Sequence, residues 1–255
     1  MIKLSANLGF LWPDRPLLDR IAAAANAGFR AIELHWPYDV PSEQVKEACE
    51  RNKLTLLALN TAKGDQPGDF GLGALTGREG EFAASFQQAL VYARIARASA
   101  IHVMAGVCLD TPKTEATLVA NLRTVADAAP ELTLLLEPIN PRDKPGYFFH
   151  AIERAAEIVA LTGRRNIRIM FDVYHMGVGQ GDILTRLRRF SALIGHVQIA
   201  AVPSRAEPDE GEINYRAVFA ALEKLNYSGW VGCEYRPRNG TDDGLVWRQT
   251  LGVDP

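Results

Sequence analysis

The chain has 255 residues, of which 47% are hydrophobic and 23% charged, and its formal net charge is -2. A chain of this length can bury a full core in one α/β barrel. Its weak net charge excludes the general basic excess that meets nucleic acid or an anionic membrane, but a small anionic substrate needs only one or two local cations.

Short apolar runs alternate with longer helical patterns throughout. IKLSAN (Ile2 to Asn7) reads as a first strand, and the helix PLLDRIAAAANAGF follows, with Pro16 at its start and Gly28 at its end. Ala31 to Leu34 is a second strand, and PSEQVKEACERN is a helix with Ser42 as its expected N-cap. Leu54 to Asn60 is a third strand, Thr61 to Thr76 a long glycine-rich loop, and Arg78 to Ala96 a helix with apolar residues at helical spacing. A fourth strand spans Ile101 to Met104, followed by the helix TPKTEATLVANLRTVADAA.

Leu132 to Glu137 is a fifth strand, PINPRDKPGY a proline-rich loop, and FFHAIERAAEIVALTG a helix ending at Gly163. Ile167 to Asp172 is a sixth strand, ILTRLRRFSALIG a helix, and His196 to Ala200 a seventh strand. VPSRAEPDEGEIN forms another long loop before the helix YRAVFAALEKLNYSG, and Trp230 to Tyr235 is an eighth strand before a short tail. Eight strands separated by helices, with near-continuous apolar runs, predict a (β/α)8 TIM barrel forming one domain over residues 1–255. An open doubly wound sheet is the alternative. No GxGxxG follows the first strand, however, and no GxxxxGK[ST] occurs.

Cys49, Cys108 and Cys233 form no CxxC pair and read as reduced thiols. MIKLSANLGFLWPD lacks the apolar stretch of a signal peptide, and no window of about 18 uninterrupted apolar residues occurs. A cytoplasmic location is therefore expected.

Barrel enzymes carry their chemistry at the C-terminal ends of the strands. Here Glu137, Asp172 and Glu234 stand at or beside the ends of the fifth, sixth and eighth strands, and Gln198 lies on the seventh. His196 and Gln198 share a face of their strand because side chains alternate. Singly, each carboxylate could as well cap a helix or pair with a loop cation, and Asp172 could cap a turn before Gly177. Together they would crowd like charges at one rim, which a bound cation relieves. Hard oxygen donors favour Mg²⁺ or Mn²⁺ over Zn²⁺, and the cysteines lack zinc-site spacing.

At these residues the chain resembles the hydroxypyruvate isomerase family, within the xylose-isomerase-like TIM barrels. The matching segments are LLLEPINPRDKPGYF, FDVYHM, GHVQIAAVPSRAEPDEGEINY and GWVGCEY, in order over roughly the second half of the chain. The resemblance implies that Glu137, Asp172, Gln198 and Glu234 hold a divalent metal and that Glu137 and Glu234 form the proton-transfer pair. It also implies a small hydroxy-keto acid substrate, either hydroxypyruvate or 2-oxo-tetronate, since the family's bacterial branch includes enzymes for the latter.

Isomerising such an acid removes a proton beside the carbonyl and returns one to the neighbouring carbon through an enediolate. A divalent ion stabilises that charge, and two carboxylates act as base and acid. Excess negative charge calls for nearby cations or donors. Arg205, Lys63, His175 and His102 are the candidate substrate-binding groups, although Arg and Lys in loops are usually just solvated. His35 reads as a core histidine, Phe10 and Trp12 as packing or an apolar wall over the site, and Glu212 as orienting the Arg205 loop or capping the next helix. The rival readings are a sugar epimerase or dehydratase on the same barrel and a non-catalytic small-molecule-binding barrel. A DNA-repair endonuclease is disfavoured by the five histidines and the net charge. A homo-oligomer is possible.

Overall fold

The alternation of short apolar runs and longer amphipathic segments folds as eight strand–helix repeats. In a computed structural model, which describes residues 2–253, the strands are β1 (Lys3–Asn7), β2 (Ala31–Glu33), β3 (Thr55–Asn60), β4 (Ala100–His102), β5 (Thr133–Leu136), β6 (Ile167–Asp172), β7 (Ile194–Ile199) and β8 (Trp230–Cys233). Each pairs in parallel with the next, and β8 pairs with β1, closing a (β/α)8 TIM barrel. The outer ring contains α1 (Leu17–Asn26), α2 (Ser42–Asn52), α3 (Glu79–Ala96), α4 (Pro112–Ala128), α5 (Ile152–Thr162), α6 (Val173–Gly179), α7 (Ile183–Phe190) and α8 (Tyr215–Lys224), followed by the short α9 (Thr241–Gly244) and α10 (Trp247–Leu251). No helix among the described residues is long and apolar enough to cross a membrane.

Strand alternation sorts the side chains into two sets. Leu4 and Ala6, Leu134 and Leu136, Val197 and Ile199, and Val231 and Cys233 join the main core between sheet and helices. The other set faces the barrel axis. Ala31, Ala58, Ala100, Leu135 and Met170 form most of a separate apolar plug there. Each lies two residues before a buried polar side chain: Glu33, Asn60, His102, Glu137 and Asp172. On these strands the barrel interior is thus apolar below and polar above, which delivers their polar groups to the C-terminal rim; on β7 the buried His196 stands level with Met170 instead.

Several element boundaries differ from expectation. Ser42 is already the first residue of α2, and Pro41 occupies the N-cap. The Ser42 hydroxyl therefore meets the Glu43 carboxylate (3.1 Å) and caps no backbone amide. A true cap precedes α4, where Thr111 and Thr114 form a reciprocal box and Pro112 opens the helix. The short helix α6 follows β6 directly, because Asp172 caps it: its Oδ1 accepts from Tyr174 N (2.8 Å). The expected tail contains α9 and α10, and the fully buried Trp247 donates from Nε1 to Tyr235 Oη (3.0 Å). Trp12 is buried against Phe29 and donates to Asp242 Oδ1 (2.8 Å) on α9, so it packs there and does not line the cavity.

Tyr215, at the start of α8, clips the end of β7. Its hydroxyl donates to Ala200 O (2.6 Å) and accepts from Ala200 N (3.1 Å), all buried. Tyr215→Phe leaves both backbone groups unpaired in the interior, and an unsatisfied buried group costs about 1–3 kcal/mol. The expected loss of stability of that size is measurable by urea unfolding; a variant as stable as the parent would show the clip to be dispensable.

Candidate active site

The polar ends of the strands open into a cavity of about 590 Å³, lined by residues that include Glu137, Glu234, His35, His102, His175, Arg205, Lys63 and Phe10. Beneath it lies a small pocket bounded by Glu33, Asn60, His102, Glu137, Gln198 and Glu234. Glu137 follows β5 by one residue and Glu234 follows β8 by one, so both continue the inward-facing set. Glu137, Asp172 and His175 bring one potential ligand atom each within 4.8 Å of the others. Gln198 is the register neighbour of Asp172 across β6 and β7.

The carboxylates are buried at close quarters. Burial first, then the charges of Glu234 and Asp172, holds the Glu137 carboxyl well above the usual range. Asp172 is pushed up to about 7, again by burial first and then by Glu234. Glu137 Oε1, Asp172 Oδ2 and Gln198 Oε1 are buried with no hydrogen-bond partner among the described residues. Unsatisfied buried acceptors are costly, and three oxygens of this kind on adjacent strands fit a hard divalent cation. The cap of α6 leaves Asp172 free for this, since it uses Oδ1 alone.

Arg205 is the site's central cation. It adopts φ +57, a left-handed conformation uncommon for a residue with a side chain. Backbone bonds hold it there, from Arg205 N to Ala201 O and from Arg236 N to Arg205 O (both 2.8 Å). Its guanidinium lies between the rings of Phe10 (4.9 Å) and Tyr174 (4.8 Å) and reaches Glu234 Oε1 (3.1 Å) and Asp172 Oδ2 (3.8 Å). Asp143 anchors it from the other side at 3.3 Å. The exposed Glu212 does not orient it: among the described residues it ties the loop only by its backbone N–H to Val202 O, and the next helix is capped by Asn214.

The tautomer of His175 is fixed by its neighbours. Asp143 N donates to Asn140 Oδ1 (2.9 Å), which turns Asn140 Nδ2 toward His175 Nδ1 (2.6 Å). Asn140 N also points at Nδ1 (3.3 Å). Nδ1 is therefore an acceptor and Nε2 carries the hydrogen. Burial, then Arg205 and His102, keeps the ring neutral. Its Nε2 lies 3.6 Å from Asp172 Oδ2 and 3.7 Å from Glu137 Oε1, beyond hydrogen-bond distance. His102 Nδ1 lies 3.7 Å from Glu137 Oε2, and burial pushes that imidazole down to about 4.

Among the residues that enter the site without having been assigned to it from the sequence are His35 and Glu33. His35 lies on the cavity wall rather than in the core, with Nε2 3.3 Å from Glu234 Oε1 and its ring edge-on to Phe10. Glu33 is buried below the rim. It accepts from Ser5 Oγ (2.5 Å) and Gln198 Nε2 (2.8 Å), and His196 Nε2 lies 3.1 Å away. Burial raises its pKa, but His196 and the hydrogen bonds outweigh this and hold it below the ordinary carboxylate value. Space for it comes from Gly232, the register neighbour of Ser5 and Gln198, where a Cβ would stand 2.2 Å from Glu33 Oε1. A charged residue two positions after Ala31, on an inward-facing strand, was the available signal. Lys63 lines the same cavity, exposed and stacked on Trp36, and pairs with none of the carboxylates among the described residues.

The xylose isomerase-like TIM barrel family model matches residues 21–252. A 2-oxo-tetronate isomerase from Cupriavidus necator is 43% identical over 253 residues, covering 97% of both chains. The hydroxypyruvate isomerase of Escherichia coli is 37% identical, covering 97% of this chain and 98% of its own. A solved structure of an AP endonuclease, family 2, from Brucella melitensis superposes with a TM-score of 0.95 at 38% identity, covering 98% of this chain and 99% of that one; the endonuclease description belongs to that protein. With an eight-stranded barrel, a rim of buried carboxylates and full-length relatives of this kind, the chain belongs to the hydroxypyruvate isomerase family of xylose isomerase-like TIM barrels and is an isomerase.

Proposed function

We propose that the protein isomerises a small hydroxy-keto acid, 2-oxo-tetronate or hydroxypyruvate, by moving a proton between adjacent carbons. The observation that carries this reading is the set of buried oxygens of Glu137, Asp172 and Gln198, at or beside the ends of adjacent strands and without a hydrogen-bond partner among the described residues, with Glu137 and Glu234 also lining the main cavity. The names of the full-length relatives supply the substrate class. Glu137, Asp172, Gln198 and Glu234 would hold Mg²⁺ or Mn²⁺, which supplies positive charge against which negative charge on two neighbouring substrate oxygens can develop.

The protein's own groups do the rest. Glu137 and Glu234 enter from β5 and β8 and exchange the proton, one as base and the other as acid. Burial, with Glu234 and Asp172 beside it, raises the Glu137 carboxyl above the ordinary carboxylate range and so favours proton uptake there. Arg205 Nη2 and His175 Nε2–H converge to 3.4 Å and offer donors to the substrate oxygens. His102 steadies Glu137, and Lys63 meets the far end of the substrate. Glu33 accepts from the Gln198 amide nitrogen, and because a carboxylate only accepts, Gln198 Oε1 is turned away from it and left free.

Glu137→Gln and Glu234→Gln should each lower turnover of both acids by roughly 10²–10⁴-fold and abolish exchange of the substrate's carbon-bound proton with solvent. Exchange persisting in both variants excludes the assigned pair. Because the folded pKa of Asp172 lies above its unfolded value, the metal-free fold is favoured while that group stays protonated and loses stability as pH rises through about 7. Added Mn²⁺ should therefore raise the melting temperature more at about pH 8 than at about pH 5.5; a rise independent of pH, or none, counts against a cation among these oxygens. Glu33→Gln should weaken Mn²⁺ binding to the metal-free protein about tenfold or more, read by calorimetry. Unchanged affinity removes Glu33 from any part in orienting Gln198.

A further inference from the structure

The cavity contains two cations that the proton-transfer chemistry leaves unused as a pair. Lys63 follows β3 and Lys144 lies in the loop after β5, and both line the cavity with Trp36 and Phe70. Lys63 Nζ stands 3.7 Å over the Trp36 ring and 5.8 Å from the Phe70 ring. Lys144 Nζ stands 4.3 Å from that same Phe70 ring. Two ammonium groups thus share one aromatic platform.

Neither makes an ion pair among the described residues. Two arginines of the same cavity differ, since Arg205 contacts Glu234 and Asp143 and Arg142 contacts Asp143; Arg236 also lacks an ion pair among the described residues, but it stands by the Phe10 ring at 5.8 Å. Two like charges gathered without a counter-charge repel, and burial followed by Lys144 keeps the Lys63 pKa below its ordinary value. Aromatic faces offset part of this cost but accept no hydrogen bonds, so the exposed Lys63 and the half-buried Lys144 leave their six N–H groups to solvent or to an anion.

Both loops are held in place. Gly71 N donates to Lys63 O (2.8 Å) and Gly71 pairs with Ala105, just past β4. Gly71 has φ +107, and a Cβ there would stand 2.5 Å from Met104 Cβ, so the loop lies directly on the barrel rim. Lys144 N donates to Asn140 O (3.1 Å), and Asn140 is the residue that fixes His175. One lysine is therefore tied by backbone to the rim at β4 and the other to the catalytic loop itself.

We propose that Lys63 and Lys144 form a carboxylate subsite, in which the acid group of the substrate binds between the two ammonium groups on the Trp36–Phe70 platform. This rests on the isomerase reading above and deepens it: the same cavity takes the hydroxy-carbonyl end at the buried carboxylates and the carboxylate end at the lysines. The substrate class is then a 2-oxo acid, and a neutral ketose of equal length is a poor substrate because it leaves the lysine pair uncompensated.

The test uses Lys63→Met, Lys144→Met, the double variant and the two arginine variants. Substrates are hydroxypyruvate, 2-oxo-tetronate and their neutral counterparts dihydroxyacetone and erythrulose. Each methionine variant should raise KM for the acids about tenfold, the loss of one charge-assisted hydrogen bond, with kcat largely retained. KM for the neutral ketoses should not move, and arginine should restore acid binding. Pyruvate, a 2-oxo acid without the hydroxyl needed for isomerisation, should bind the parent protein in calorimetry and fail to bind the double variant. Unchanged KM and pyruvate affinity in the double variant, or no pyruvate binding by the parent, overturns the subsite while leaving isomerisation standing. Loss of pyruvate binding in the double variant of a protein that turns over neither acid keeps the subsite and removes the isomerase reading.

Discussion

The structure depends on one electrostatic constraint: three carboxylates, Glu137, Asp172 and Glu234, are buried beside one another at the rim of the barrel. All three are buried, so mutual repulsion is screened less than at the surface and every unpartnered oxygen is costly. Arg205 compensates in part, and its left-handed backbone and aromatic flanks mark how firmly the chain fixes that one guanidinium. One guanidinium against three carboxylates leaves a deficit of positive charge, and the proposed dication makes it up.

The barrel makes this arrangement attainable by a simple rule of sequence. On β2 to β6 an inward-facing apolar residue precedes an inward-facing polar one by two positions, as with Ala100 and His102 or Met170 and Asp172. The plug stabilises the fold, and the layer above it spends some of that stability on polar burial. Asp172 does two jobs within this layer, capping α6 with one oxygen and facing the site with the other. Asn140 and Glu33 act similarly at one remove. Asn140 fixes which nitrogen of His175 bears hydrogen, and Glu33 fixes which end of Gln198 is the oxygen.

Much of this was legible in the sequence. The eight apolar runs and their helical spacers specify the barrel, and strand alternation places His196 and Gln198 on one inward face. Glu137, Asp172 and Glu234 were readable because each interrupts an apolar run near its end. Glu33 was not, since β2 is only three residues long and its role depends on side chains from β1 and β7, distant in sequence. His35 was read as core because its partner Glu234 comes from the other end of the chain. The misplaced cap at Ser42 has a local cause: Pro41 takes the capping position, and a serine one residue further in is already helical. The helices after β8 lacked a long enough periodic pattern to stand out, and tertiary burial of Trp247 holds them.

The space above Gly232 has a consequence for how this barrel can change. The Glu33 carboxylate fills the volume that any larger residue at position 232 would need, so these positions, on β2 and β8, are one unit of inheritance despite nearly two hundred intervening residues. A lineage or a combinatorial library that varies either alone meets a steric wall or an emptied polar hollow. Productive routes to new barrel interiors here therefore begin with the two exchanged together.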